Sequence, residues 1–138
     1  MIGVVVVAHG ALARELVRSA ELIVGPQERL AAVGLEAGDD VEVTRKKVGD
    51  AIGAANAGAG VLVLTDMFGG TPCNMALPFH EEGKVEILTG VNLPMLLKAT
   101  SARVPGVEGS ELSLRELATA LTDHARKSIQ AASDILRR

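Results

Sequence analysis

The strongest constraint in the chain is Ile2–Val7, an unbroken apolar and mostly β-branched run. A run without polar alternation cannot have one wet face. It predicts a strand buried on both sides, as at the centre of a parallel sheet. Ala8, His9 and Gly10 follow with no polar turn between them. The strand therefore delivers an imidazole to the carboxyl edge of the sheet, where open α/β sheets bind ligands.

The rest of the chain alternates between strand and helix signals. Leu12, Leu16, Ala20 and Ile23 mark one face of a helix over Ala11–Val24, closed by Gly25 as a left-handed cap and stopped by Pro26. Leu30–Leu35 reads as a second strand. Gly38-Asp39-Asp40 caps a helix with Val41, Val48, Ile52 and Ala55 inward, which closes at Asn56–Gly60. Gly60–Thr65 is another two-sided strand, followed by Asp66-Met67-Phe68-Gly69-Gly70 and a helix from Thr71-Pro72 to about His80, with Thr71 as the hydroxyl cap. Glu81-Glu82-Gly83 turns into a fourth strand, Lys84–Leu88. Thr89–Asn92 is a loop, Leu93–Ala102 a helix, and Val104–Ser110 irregular. Ser113-Leu114-Arg115-Glu116 fits a capping box, and Leu117, Leu121, Ala125 and Ile129 continue a helical stripe from it. This alternation predicts an α/β fold over 1–138 as one domain: a doubly wound, mainly parallel sheet of four strands with helices on both faces.

Composition narrows the function. Only two Phe and no Trp or Tyr occur, so the platforms used to stack bases or sugars are missing. A formal net charge of −3 carries no basic footprint for nucleic acid or an anionic membrane. No partner of either kind is expected. A single cysteine, Cys73, excludes an internal disulfide framework, and the N-terminal apolar run is too short to span a bilayer. No basic segment precedes it, so a cytoplasmic protein without membrane insertion is the expectation.

Two buried strands end in ionisable groups, His9 after the first and Asp66 after the third. If those strands are neighbours and the second lies outside, the pair flanks the topological switch point. A carboxylate accepting Nδ1–H fixes the imidazole tautomer and leaves the Nε2 lone pair as a nucleophile. Gly69, Gly70 and Thr71 follow with free backbone N–H groups, a hydroxyl and a helix start, which together suit a phosphoryl group. Taken singly, each feature also fits a structural role: a hydrogen-bonded histidine, an aspartate cap, an ordinary helix start. Their coincidence on one edge points to a phosphohistidine carrier.

Three motifs carry a resemblance: VVVVAHG at the start, LTDMFGGTPCN in the middle and TGVNLPML at Thr89–Leu96. Over essentially its whole length the chain resembles the IIA component of the mannose/fructose/sorbose class of the bacterial phosphoenolpyruvate:sugar phosphotransferase system. That resemblance implies that His9 accepts a phosphoryl group from phospho-HPr and passes it to a IIB protein for sugar uptake and phosphorylation. Asp66 matches the residue bonded to the imidazole, while Gly69, Gly70 and Thr71 match the loop over it. Gly10 and Asn92 match loop support. No metal or other cofactor is implied, because a phosphoramidate is already an activated donor. The chain stops at Arg138 with no linker or fused IIB domain, so the acceptor is expected to be a separate protein. A stand-alone regulator, whose His9 phosphorylation controls partner binding, is the alternative. The family also forms a homodimer that exchanges an antiparallel edge strand near the C-terminus. Ile129–Asp134 is the matching stretch, although periodicity reads it as helix.

Other assignments fit less well. An aspartyl-phosphate receiver using Asp66 needs an acidic pair after the first strand, where this chain has Ala8-His9-Gly10. A related histidine-phosphorylated fold of dihydroxyacetone kinase systems matches the GGTPCN loop less closely, and nucleotide-binding glycine spacings are absent. His80 and His124 read as solvated helix positions, and with His9 they share no metal-ligand spacing. Cys73 reads as a small buried thiol more readily than as a nucleophile, and Met67 and Phe68 as a docking patch or a lid.

Overall fold

A computed structural model describes residues 1–104 and 112–137. In chain order the main elements are β1 (Gly3–His9), α1 (Leu12–Val24), β2 (Leu30–Leu35), α2 (Val41–Ala55), β3 (Val61–Thr65), α3 (Thr71–Ala76), β4 (Val85–Leu88), α4 (Leu93–Ala102) and α5 (Leu114–Lys127). The sheet is parallel throughout, in the order β2-β1-β3-β4. Pro105–Ser110, expected to be irregular, lie outside the described residues.

Two-sided burial of β1 organises this arrangement. Val4 through Ala8 are completely buried, as are Val61 through Thr65 of β3 beside it. Alternation along the pleat divides these residues between two aliphatic cores. Val4, Val6, Ala8, Leu62 and Leu64 pack with residues of α1, α4 and α5. Val5, Val7, Val61 and Val63 pack with residues of α2 and α3 on the opposite face. No described helix is long and apolar enough to cross a membrane.

Several local expectations are corrected. The inward face of α1 is Ala13, Leu16, Val17 and Ala20, while Leu12 and Ile23 are exposed. Alanines at 13 and 20 let the helix settle close to the sheet, which rotates the stripe away from Leu12 and Ile23. Gly25 has the expected positive φ, but its ψ of 174° is extended rather than left-handed helical. In α2, Val41 is half exposed and Thr44 takes the inward position, its hydroxyl satisfied by the Asp40 carbonyl at 2.8 Å. Gly70 rather than Thr71 is the N-cap of α3, and it makes no side-chain cap bond. That helix stops at Ala76 because Pro78 lacks the N–H to continue it, leaving a 3₁₀ turn over Leu77–Phe79.

The capping box at Ser113 is present, with Ser113 Oγ accepting from Glu116 N at 3.2 Å. Helix α5 nevertheless ends at Lys127, before Ile129. The Ser128 hydroxyl donates to the Ala125 carbonyl at 2.6 Å, which competes with the next helical bond. Beyond it Ala132–Arg137 form a 3₁₀ segment with no buried residue, so Ile129–Asp134 neither continue the helix nor form a strand in the isolated chain.

Arg103, unremarked in the sequence, is bolted beneath the sheet. It is 3% exposed and donates to the carbonyls of Ile2 (3.1 Å), Arg29 (2.9 Å) and Glu28, and to Gln27 Oε1 (3.3 Å). Burial lowers its pKa, partly offset by the charge of Glu28. One guanidinium thus joins the end of α4 to the strand entrances of β1 and β2. Arg103→Met strands these carbonyls. Urea unfolding should show a loss of about 2–4 kcal/mol, with the His9 resonances of the residual folded state unchanged.

Candidate phosphoryl-transfer site

Strand register sets the site. Val7 lies opposite Thr65, so Asp66 leaves β3 one residue later, abreast of Ala8 and His9. His9 Nδ1 is 2.7 Å from Asp66 Oδ2, and the same oxygen accepts the His9 backbone N–H at 3.0 Å. The other oxygen, Oδ1, accepts the Met67 N–H at 2.9 Å. An ionised carboxylate can only accept, so Nδ1 carries a proton, and in the neutral ring the lone pair is then on Nε2. The imidazole is 52% exposed while the Asp66 side chain is 12% exposed, so an accessible ring rests on a largely buried anchor.

Burial alone would raise the Asp66 pKa. The N–H groups of His9, backbone and ring, together with its charge and the Met67 N–H, outweigh that effect and hold the acid below its ordinary value. The carboxylate is therefore ionised across the neutral range.

The next loop folds over the ring. Gly69 has φ +80°, a conformation that side chains rarely adopt. At Gly70 an added Cβ would lie 3.0 Å from His9 Cε1 and 3.1 Å from Met67 Cγ. A hydrogen at that position is what lets the loop backbone approach the imidazole. Thr71 and His9 line one cleft of about 280 Å³, shared with Glu36, Asp39 and Thr44. Helix α3 has only six residues, so its field is weak; backbone N–H groups and the Thr71 hydroxyl are the stronger resource for an anion.

Gly10 and Asn92 sit at structural joints around the site. Gly10 has φ +59°, and its N–H donates to the Leu35 carbonyl at 2.7 Å. Asn92 caps α4 by accepting from Met95 N at 2.9 Å, and its amide donates to Ala125 O and Ser128 Oγ, each at 3.4 Å. Its loop is tied to β3 through Val91 N and the Thr65 carbonyl at 3.0 Å.

Two contributors were missed from sequence. A Cβ on Gly34 would lie 2.4 Å from the Gly10 carbonyl, so this β2 glycine lets the turn after His9 close. Ser128 receives Asn92 from across α5. The signal for Gly34 was a glycine inside a strand, which marks close backbone approach; Ser128 had none.

The remaining singled-out residues lie elsewhere. Cys73 is fully buried. His124 is exposed on α5, and His80 lies 3.6 Å from Glu86. Among the described residues no group of three or more His, Cys, Asp or Glu side chains forms a metal site. Met67 and Phe68 are 54% and 77% exposed beside the histidine.

A parallel α/β domain with an aspartate-oriented histidine at its switch point defines a class: proteins that present one imidazole on a rigid sheet edge. Comparison with known proteins narrows the class. The family model described as PTS system fructose IIA component matches residues 3–121. The PTS system fructose-specific EIIA component of Bacillus subtilis is 33% identical over 137 residues, covering 99% of this chain and 90% of that protein. The PTS system mannose-specific EIIAB component of Escherichia coli is 29% identical over 131 residues, 94% of this chain but 39% of the longer relative. The crystal structure of phosphotransferase system component EIIA from Streptococcus agalactiae matches with a TM-score of 0.83 at 28% identity, over 97% of this chain and 99% of that one. The chain belongs to the mannose/fructose-type IIA components of the phosphotransferase system, as its three motifs suggested.

Asp66→Asn leaves one oxygen where two are used, so either the His9 bonds or the Met67 bond is lost. Nitrogen-15 NMR of the ring should report loss of the fixed tautomer, and stability should fall by about 2 kcal/mol at neutral pH. The wild-type pKa is depressed on folding, so this stability is present above the unfolded value of about 4 and is lost as pH falls through the lower folded value. The gap between the proteins should be constant above about pH 5 and close on further acidification.

Proposed function

We propose that His9 is the phosphoryl acceptor and that the chain carries the group from phospho-HPr to a IIB protein in the cytoplasm, serving sugar uptake. The 2.7 Å bond between His9 Nδ1 and Asp66 is the observation that carries this reading. With Nδ1–H held, the Nε2 lone pair attacks phosphorus, the new N–P bond forms, and the bond from phosphorus to the donor breaks with its electron pair leaving on the donor. The Nδ1 proton does not move. Positive charge developing on the ring faces the Asp66 carboxylate, which stabilises the phosphorylated state. The transfer to IIB is the same step reversed on a second protein.

Gly69, Gly70 and Thr71 supply donors for the phosphoryl oxygens, with the Gly70 hydrogen leaving room beside Cε1. Spread charge held by preorganised donors is what phosphoryl transfer asks of a protein, without a metal or other cofactor. Gly10 and Asn92 keep the two neighbouring loops in place. The exposed Met67 and Phe68, with Leu12 and Leu77 each 46% exposed, form an apolar rim suited to transient docking of the two protein partners. A homodimer completes the proposal. Among the described residues strand β4 pairs only with β3, and the exposed Ile129, Ile135 and Leu136 are suited to cover its outer side on a second copy.

Incubation with phosphoenolpyruvate, enzyme I and HPr, read by intact mass, should add one acid-labile phosphoryl group to the wild type and none to His9→Ala. An unlabelled wild type with active upstream proteins would rule the carrier out, and label retained on His9→Ala would move the acceptor elsewhere. Gly70→Ala should fold with an unchanged melting curve yet accept the group roughly 10- to 100-fold more slowly, because its methyl displaces the imidazole.

A further inference from the structure

His9 stands between two acidic flanks, and orientation of its ring uses only one of them. Asp66 takes Nδ1 from the β3 side. On the β2 side His9 lies in register with Leu35, and the next residue is Glu36. Neighbouring strands lie about 4.8 Å apart, so the turn after β2 begins beside the imidazole. The Gly10 N–H donates to the Leu35 carbonyl at 2.7 Å, and the bare Cα of Gly34 admits the Gly10 carbonyl, which holds the two strand ends together.

That turn carries negative charge with nothing beside it to balance it. From Glu36 to Thr44 the chain has four carboxylates, Glu36, Asp39, Asp40 and Glu42, and no lysine or arginine. Asp40 caps α2 and Glu42 pairs with Arg45 at 2.8 Å, so both are engaged along the helix. Glu36 and Asp39 instead line the cleft of about 280 Å³ that His9 and Thr71 share, and no lysine or arginine is among its described lining. Their turn is pinned. Asp39 Oδ2 accepts the Glu36 N–H at 2.8 Å, and the Asp39 N–H donates to the Glu36 carbonyl at 3.2 Å. On α1 the nearest cations in sequence, Arg14 and Arg18, lie 3.7 and 3.6 Å from Glu15.

A neutral imidazole is nearly indifferent to this charge, but a phosphoryl group on it is not. The group brings roughly two negative charges at neutral pH. Groups lining one cleft of that size lie within about a Debye length of each other, ~10 Å at 0.1 M salt. Like charges at such a separation raise the free energy of the phosphorylated chain relative to the free one. Asp66 acts in the opposite sense, because it faces the positive charge that develops on the ring.

We propose that Glu36 and Asp39 set the phosphoryl-transfer potential of His9: their fixed charge raises the energy of the phosphorylated state, so the chain passes the group on rather than storing it. This rests on the carrier reading given above. Both are positioning residues in the electrostatic sense, acting through the field at the ring and not by touching the reacting atoms. Asp66 fixes which nitrogen reacts, and the turn after β2 fixes how tightly the product is held.

The phosphoryl-exchange equilibrium with HPr tests this. One bond to phosphorus breaks on the donor as another forms on His9, so the equilibrium constant depends on the separate proteins and not on how tightly they dock. Mixtures of the full chain with phospho-HPr, read by intact mass, should show that constant shifted toward the phosphorylated chain about two- to fivefold by Glu36→Gln and by Asp39→Asn, and further by E36K. The shift should shrink as salt is raised from about 0.02 M to about 0.5 M. Asp50→Asn makes the same charge change about 15 Å further along α2 and should leave the constant unmoved. A wild type that takes no group from phospho-HPr overturns the carrier reading, and this inference with it. A wild type that exchanges, with a constant unmoved by Glu36→Gln and Asp39→Asn or moved equally by Asp50→Asn, overturns the inference alone. Slower approach to an unchanged equilibrium also overturns it, since that places the carboxylates in docking. Should Asp39→Asn disturb the fold by circular dichroism, Glu36→Gln decides alone, because its side chain is exposed and makes no hydrogen bond among the described residues.

Discussion

Burial of β1 on both faces is the constraint from which the rest follows. A strand whose Val4–Ala8 side chains all need apolar neighbours must have a parallel strand on each flank and helices above and below. Right-handed crossovers then place β2 on one side of β1 and β3 on the other, and the switch point falls at the end of β1 itself. His9 stands at that end. Its position is thus set by the interior of the sheet, even though half of its ring faces solvent. A loop-borne histidine would have to be ordered at each encounter with a partner; this one is ordered when the domain folds.

Asp66 shows how one side chain meets two demands. Its Oδ2 binds both the backbone and the ring of His9, so the end of β1 and the imidazole orientation are held by one atom. Its Oδ1 binds Met67 and sets the start of the loop that leads to Gly69 and Gly70. Because these donors outweigh the effect of burial, the group remains an acceptor through the neutral range. The bonds that stabilise the turn are the bonds that orient the ring, so the two do not compete.

The sheet and the His9–Asp66 pair were legible because long-range burial writes itself into composition. Val4–Val7 and Val61–Leu64 admit little besides interior strands, and β2 and α4 fall where read. Errors came where one local interaction outcompeted periodicity. Pro78 ends α3 four residues early, Ser128 turns back on Ala125 before Ile129 can join the helix, and alanines rotate α1 by letting it approach the sheet. Gly34 carried a signal that went unread, a glycine inside a strand, whereas Arg103 was not legible because it acts through carbonyls brought together from distant segments. The family resemblance reached the site residues but is silent about such contacts.

Strand β4 separates two kinds of surface on the sheet. Chemistry in this fold belongs to the carboxyl ends of the strands, where side chains and loop N–H groups converge. The outer side of β4 offers backbone donors and acceptors instead, which suit another strand. An edge of that kind invites any exposed strand unless something makes it selective. A charge on the edge strand is the usual deterrent, and Glu86 places a carboxylate on this one.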